Sequence, residues 1–319
     1  MKTVKHYLLV VAAVAIQLFS ATTMAQTPVV FGYTGISDFA AAFVAKDKGF
    51  FKKRGVDVEL QLITLTSNIP PALQSESIQI GGIAPSTLLM ATSSGLDLVT
   101  FASASLSDSN AKNPGLLLKA GSDIRTPADF VGKKIGVPGL SGALHVLIRK
   151  WFFYKGVDAK KINFIEIPFP QMNDVLKGGN VDAVVVADPF MSRIEQSGVG
   201  SVYANLSKDL PDGFSVVVYA TTRQWAKKNP VVLKNINDAL AEAVEFALAN
   251  PQATRGIIGK YVKVPPQVLE TLPIPKLSTE ITANHLSFWV NAMRQQEMFK
   301  TPNKEAYKNT PDLASIIVR

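Results

Sequence analysis

One order of segments occurs twice along this chain: apolar strand, glycine-bearing turn, long helix, strand, short helix, strand. In the first copy the strand is 29–33, the turn is Thr34-Gly35, and a helix runs from about residue 38 to 54. Phe39, Ala42, Phe43, Phe50 and Phe51 return on one side of that helix until Gly55 stops it. A strand at 58–63, a short helix at 70–77 and a strand at 78–83 complete the unit. In the second copy the strand is 134–137, the turn Gly139 to Gly142 and the helix 143–155. A strand at 162–167, a helix near 171–177 and a strand at 181–187 follow. Gly-Val-Asp succeeds the long helix both times, at Gly55-Val56-Asp57 and Gly156-Val157-Asp158. Parallel strands need a helix-length crossover, so each copy predicts a parallel sheet with helices on both faces. The fold class expected is therefore α/β, with two doubly wound lobes and a cleft between them. In open sheets of this kind a ligand sits beyond the carboxyl ends of the strands, so facing lobes present two sets of strand-end loops to one cleft.

A length of 319 residues supports two lobes, because single cores stop growing at roughly 250–300 residues. Leu116 to Lys119 reads as a strand leaving the first lobe. Thr126-Pro127-Ala128-Asp129 reads as a capped helix start. Phe214 to Tyr219 reads as a strand returning to the first lobe. The expected division is a leader at 1–25, a discontinuous first lobe at 26–118 and 219–319, and a second lobe at 119–218. Two thin crossings of this sort are what a hinge needs. The C-terminal third is helical, with Leu233, Ile236, Leu240, Val244, Ala247 and Leu248 on one face of a helix that starts at Asn229-Pro230, and it reads as packing on the first lobe.

Lys2 and Lys5, an apolar run at 7–19 and small residues ending at Ala25 follow the grammar of a cleaved secretory leader, and the run is short for a bilayer span of about 20 residues. The expected location is therefore the periplasm. Without cysteine there is no lipid-anchored cysteine, disulfide or thiolate chemistry. The formal net charge of +8 is spread along the chain and not interleaved with aromatics, so no nucleic-acid signature is present. Of three histidines, His6 falls in the leader and only His145 and His285 remain, too few for a histidine-rich metal set. No metal, cofactor or catalytic residue is expected, and the chain reads as a monomer and not an enzyme.

The strand-end loops carry the candidate ligand-binding residues. Thr34, Gly35, Ser37 and Asp38 follow the first strand, Ser67 and Asn68 the second, and Pro85 and Ser86 the third. Short hydroxyls and amides suit reversible hydrogen bonding of a small polar solute, although each alone is an ordinary turn residue. In the second unit Ser141, Gly142 and Ala143 open a helix whose first N–H groups are free to bind an oxyanion, or simply form a capped glycine turn. Phe169 offers a ring. Asp188-Pro189-Phe190 ends the last strand, where Asp188 suits a ligand with a donor, a pairing with Arg193 or a helix cap, and Phe190 follows it.

The stretch Phe43-Val44-Ala45-Lys46-Asp47-Lys48-Gly49-Phe50-Phe51-Lys52-Lys53-Arg54-Gly55-Val56-Asp57-Val58 resembles the opening of the sulfonate-, taurine- and nitrate-binding proteins of ABC importers. That family also holds binders of thiamine-pyrimidine precursors and aromatic carboxylates. The similarity continues through 73–81, 129–137 and 182–190. It implies a type II periplasmic-binding fold, capture of a small ligand in the cleft, and delivery to an ABC permease and its ATPase. It also implies ligand contacts from the first-strand loop, Ser67, Asn68, the Ser141-Gly142 helix start and Asp188. Two departures stand out. Gly81 to Ser86 lacks the acidic residue that often follows the third strand, and no arginine stands at a strand end to clamp a sulfonate or carboxylate bidentately. An organic anion of the aromatic carboxylate or sulfonate class is the expectation. The rival readings are a pyrimidine-synthase-like enzyme, which would need histidines at the cleft and no export leader, and an exported ligand sensor.

Overall fold

The computed structural model describes residues 27–299 and 312–318; the expected leader lies outside them. In chain order the first part holds β1 (Thr27–Tyr33), α1 (Ala40–Asp47), α2 (Phe50–Lys53), β2 (Val56–Leu62), α3 (Ile69–Gln74), β3 (Ile80–Ile83), α4 (Pro85–Ser93) and β4 (Leu98–Leu106). The middle holds β5 (Gly115–Lys119), β6 (Lys134–Val137), α5 (Ala143–Tyr154), β7 (Asn163–Glu166), α6 (Met172–Lys177), β8 (Ala183–Val186), α7 (Phe190–Gln196) and β9 (Gly200–Asn205). The last part holds β10 (Ser215–Thr222), α8 (Arg223–Lys228), α9 (Pro230–Ala249), α10 (Pro251–Tyr261), α11 (Pro266–Glu270), β11 (Lys276–Leu277) and α12 (Ala283–Gln295).

Two sheets result, ordered β11-β4-β10-β3-β1-β2 and β7-β6-β8-β5-β9. The repeated plan survives as a parallel trio in each, with β1 between β2 and β3 and β6 between β7 and β8. Purely parallel sheets do not. Each trio is extended through antiparallel pairings, to β10 and then β4 in the first sheet and to β5 and then β9 in the second.

The crossings also differ from expectation. Leu116–Lys119, read as the strand leaving the first lobe, belongs to β5, which pairs with β8 and β9 in the second sheet. The return strand lies wholly in the first sheet, so the expected boundary at 218/219 would cut β10. A lone apolar strand names no partner, because its pairing edge is chosen by the sheet it meets. The chain crosses between the sheets from β4 to β5 and from β9 to β10.

Local chemistry explains the element ends. The helix expected over 38–54 is three pieces: a 3-10 turn at Ser37–Phe39, then α1, then α2, broken at Gly49 with φ of 74°. Only glycine takes that left-handed backbone readily. Thr126 and Asp129 form the expected capping box, on a 3-10 turn, Pro127–Phe130. In α9 Leu233, Ile236, Ala239, Leu240, Ala243 and Ala247 are buried at helical spacing, whereas Leu248, expected on that face, is exposed. α9 and α10 pack on α1.

The core of the first lobe centres on Tyr219, whose ring meets Phe31 edge-on at 5.2 Å and lies near Phe39 and Phe101. Trp289 of α12 is fully buried, and its indole N–H donates to the Ser215 carbonyl at 2.6 Å. Phe214 stacks on Phe288 at 3.9 Å, so α12 grips the second crossing where it enters β10. No helix of the described residues is long and apolar enough to cross a membrane.

Candidate functional site

The parallel trios point their carboxyl ends at each other, and a cavity of about 170 Å³ lies between them. Thr34 and Asp38 after β1, Thr66 after β2 and Ala84 after β3 line it from the first lobe. Pro138 and Gly142 after β6, Phe169 after β7 and Ala187 after β8 face them from the second. The two crossings form a further wall through Lys112 to Pro114 and Phe214 to Val217, and Pro273 to Lys276 closes the remaining side. The volume matches the roughly 150 Å³ of an engineered cavity known to take benzene, so a solute of about one ring fits.

The rims touch. Ser37 donates to the Asp188 carbonyl through its N–H at 3.1 Å and its hydroxyl at 3.3 Å. Thr66 donates twice to the Pro138 carbonyl, from N at 3.2 Å and Oγ1 at 3.3 Å. Ser67 Oγ donates to Glu166 Oε2 at 3.4 Å, while Glu166 Oε1 accepts the Leu140 N–H at 2.6 Å. A Cβ built on Gly139 would stand 2.0 Å from Thr66 Oγ1, so glycine is what lets these backbones approach. The cleft is closed in this structure.

Of the residues singled out from sequence, Thr34, Asp38, Gly142, Ala143 and Phe169 line the cavity. Gly35, Ser37, Ser67 and Ser141 do not; they build the rims. Gly35 faces Phe190 across the cleft, its added Cβ falling 3.8 Å from Phe190 Cε2, and Phe190 stacks on Phe169 at 5.8 Å. Ser141 has φ of 65° and donates its N–H to His145 Nδ1 at 2.9 Å. Asn68 is exposed, and Pro85 and Ser86 are buried in the first turn of α4, away from the cavity wall. Asp188 does not enter the cavity either. Its Oδ1 accepts from Ser192 N at 3.0 Å and Ser192 Oγ at 2.7 Å, so the carboxyl holds the first turn of α7 and does not pair with Arg193. Sequence position alone could not separate these roles, since a side chain one place along a turn points to the other side.

Sequence reasoning missed Thr66, Lys112, Asn113, Ile274 and Lys276. Asn113 Oδ1 accepts the Asp188 N–H at 2.9 Å and so ties the first crossing to the end of β8. Ile274 and Lys276 lie in the segment read as packing only. Its one signal is Pro273-Ile274-Pro275, an apolar residue held between prolines.

Three ionisable groups define the electrostatics. Burial raises the Asp38 carboxyl above the usual range; the Ser105 hydroxyl donating at 2.5 Å and a bond to its own backbone oppose this, and Asp188 adds to it. Burial also raises Asp188, against the bonds from Ser192. In the first turn of α5, burial with help from Arg149 pushes the His145 imidazole down to about 3, so it is neutral and accepts from Ser141. No histidine or arginine is among the cavity-lining residues, and no metal-holding cluster occurs among the described residues.

Comparisons with known proteins agree with this architecture. The family model described as NMT1/THI5 like matches residues 36–254. A putative binding protein of Brucella abortus (strain 2308) is 27% identical over 249 residues, covering 76% of this chain and 74% of that protein. The taurine-binding periplasmic protein of Escherichia coli (strain K12) is 26% identical over 210 residues, 64% of this chain and 62% of its own length. Among solved structures, the alkanesulfonate-binding protein of Xanthomonas axonopodis pv. citri bound to MOPS aligns with a TM-score of 0.75 at 18% identity. The alignment covers 86% of this chain and 95% of that one, and it shows a shared two-lobed periplasmic-binding fold.

Proposed function

This chain belongs to the NMT1/THI5-like family, and from that premise we propose that it is the periplasmic solute-binding component of an ABC importer. It closes two lobes on a small organic anion, of the aromatic carboxylate or sulfonate class, and delivers it to the permease. The observation that carries the reading is the cavity itself, placed where the carboxyl ends of two parallel trios meet and enclosed by loops from both lobes and both crossings. α5 opens at the cavity through Gly142, Ala143 and Leu144, and the N–H groups of a first helical turn have no partner within the helix. They and the positive end of the helix dipole favour an anionic group there. Apolar walls such as Ile36, Phe39, Leu144 and Phe169 suit the rest of the solute. Lys112 and Lys276, exposed at the mouth, add a steering field.

Binding without catalysis is favoured over the enzyme reading because His145 is buried with its Nδ1 occupied, and His285 lies outside the cavity. The lobes are read, among the described residues, as 27–106 with 215–299 and 312–318 for the first and 115–205 for the second, joined at 107–114 and 206–214 as a hinge, which moves both expected boundaries. The test is a thermal-shift screen of the ligand-stripped protein against alkanesulfonates, taurine, nitrate and benzoate-type acids. A true ligand at a hundred times its Kd adds about 2.7 kcal/mol of stability and raises the melting temperature. A flat response to every member of these classes rejects the substrate assignment.

A further inference from the structure

Asp38 is a carboxyl with no counter-charge. The residue is 6% exposed, lines the cavity, and accepts one side-chain hydrogen bond, from Ser105 Oγ within β4. None of the ion pairs among the described residues includes it. The other charged groups lining the cavity are Asp108, half-buried, and Lys112 and Lys276, both exposed. From the second lobe the ionisable group that acts on it is Asp188, which carries the same sign and is engaged by Ser192. Tyr219, packed beneath, is an uncharged phenol raised further by its burial and by Asp38. Every charged influence on Asp38 therefore opposes ionisation or is solvated at the mouth.

Buried carboxylates persist in proteins when a donor or cation meets them. Here the protein supplies the Ser105 hydroxyl and a bond from Asp38's own backbone, but no cation, and the residue lines the ligand space. Asp38 is also held there deliberately. Phe39, its neighbour on the 3-10 turn, sits so close over Gly82 that a Cβ on Gly82 would fall 1.9 Å from Phe39 Cε1. A bare anion would place like charge against Asp38, whereas a solute with its own nitrogen donor completes the site.

Resting on the reading of this cavity as the solute site, we propose that the ligand carries, besides its acidic group, an N–H donor that docks on Asp38: an amino-substituted or zwitterionic organic acid, not a simple anion. The acidic group then lies toward α5 in the opposite lobe, and the two lobes each hold one end of the solute when they close.

Two matched pairs test this by calorimetry and thermal shift on the ligand-stripped protein: taurine against ethanesulfonate, and 4-(aminomethyl)benzoate against 4-methylbenzoate. The amino member of a pair binds about tenfold tighter or better, and Asp38→Asn, which keeps an acceptor for Ser105 but removes the charge, reduces that preference to about threefold or less. Equal or tighter binding of the amine-free member to the wild-type protein overturns the proposal, and this comparison stands even if the variant does not fold. Preference surviving in Asp38→Asn overturns it as well. Absence of any response to all four probes removes the solute reading of the cavity on which the proposal rests, an outcome distinct from binding without discrimination.

Discussion

Gly139→Ala separates closure from stability, because the side chain it adds collides only when the two rims meet. The new Cβ would lie 2.0 Å from Thr66 Oγ1 and 3.3 Å from both Thr66 Cβ and the Ser67 backbone nitrogen. Turning the Thr66 hydroxyl aside relieves the first contact but gives up its bond to the Pro138 carbonyl, a loss of about 1 kcal/mol. The two 3.3 Å contacts remain, and overpacking of this kind costs about 1–3 kcal/mol. The closed state is thus raised by about 2 kcal/mol or more, which weakens ligand binding roughly thirtyfold. Gly139 does not use left-handed backbone, so alanine is accommodated when the lobes stand apart. Isothermal titration with the solute giving the largest melting shift measures the affinity, and a thermal melt of the unliganded protein measures the fold. Affinity within about twofold of wild type refutes the reasoning. So does an unliganded melting temperature that falls as far as the liganded one, since that would mean the rims stay together without solute.

Gly82→Ala should damage the fold and the site together, because its Cβ would enter the Phe39 ring. A loss of about 3 kcal/mol, read as a melting temperature lower by roughly 5 °C or more, is expected in the unliganded protein. His145 makes stability depend on pH. Its folded pKa, pushed down to about 3, lies below the unfolded value of 6.5, so the unfolded chain binds the extra proton and stability is lost as pH falls below 6.5. By pH 5 this group removes about 2 kcal/mol, and urea melts at pH 7, 6 and 5 should show a shallower decline for His145→Gln. An identical decline in the variant would place the pH dependence elsewhere.

The twice-repeated order of strands and helices was legible from the residues because it is written in local chemistry: apolar periodicity, glycine stops at Gly55 and Gly156, and beyond the repeat a proline start at Pro230. These determined two parallel trios, and with them the place where a ligand space had to form. Five of the candidate residues, Thr34, Asp38, Gly142, Ala143 and Phe169, reach that space for the same reason: each closely follows a strand of a trio. What the residues could not show is which partner an isolated element would choose. β5 and β10 were read from their composition as strands, yet only the docking of one sheet edge against them decided where each belongs. Ser103 and Ser105 lie inside β4, where Ser105 meets Asp38 across 67 positions of sequence.

Chain-local information therefore settled the architecture, two like-built lobes and their facing loops, since turns and helix ends depend on neighbours a few residues away. The tertiary structure alone assigned roles within those loops. Asp188 turned to hold the first turn of α7, Ser37 and Thr66 became the clasps between rims, and Asp38 was left facing the cavity without a counter-charge. The physical reason is that hydrogen bonding and burial are decided by groups brought together from distant parts of the chain, and a carboxylate reads the same in sequence whether it meets a serine, a cation or an open space.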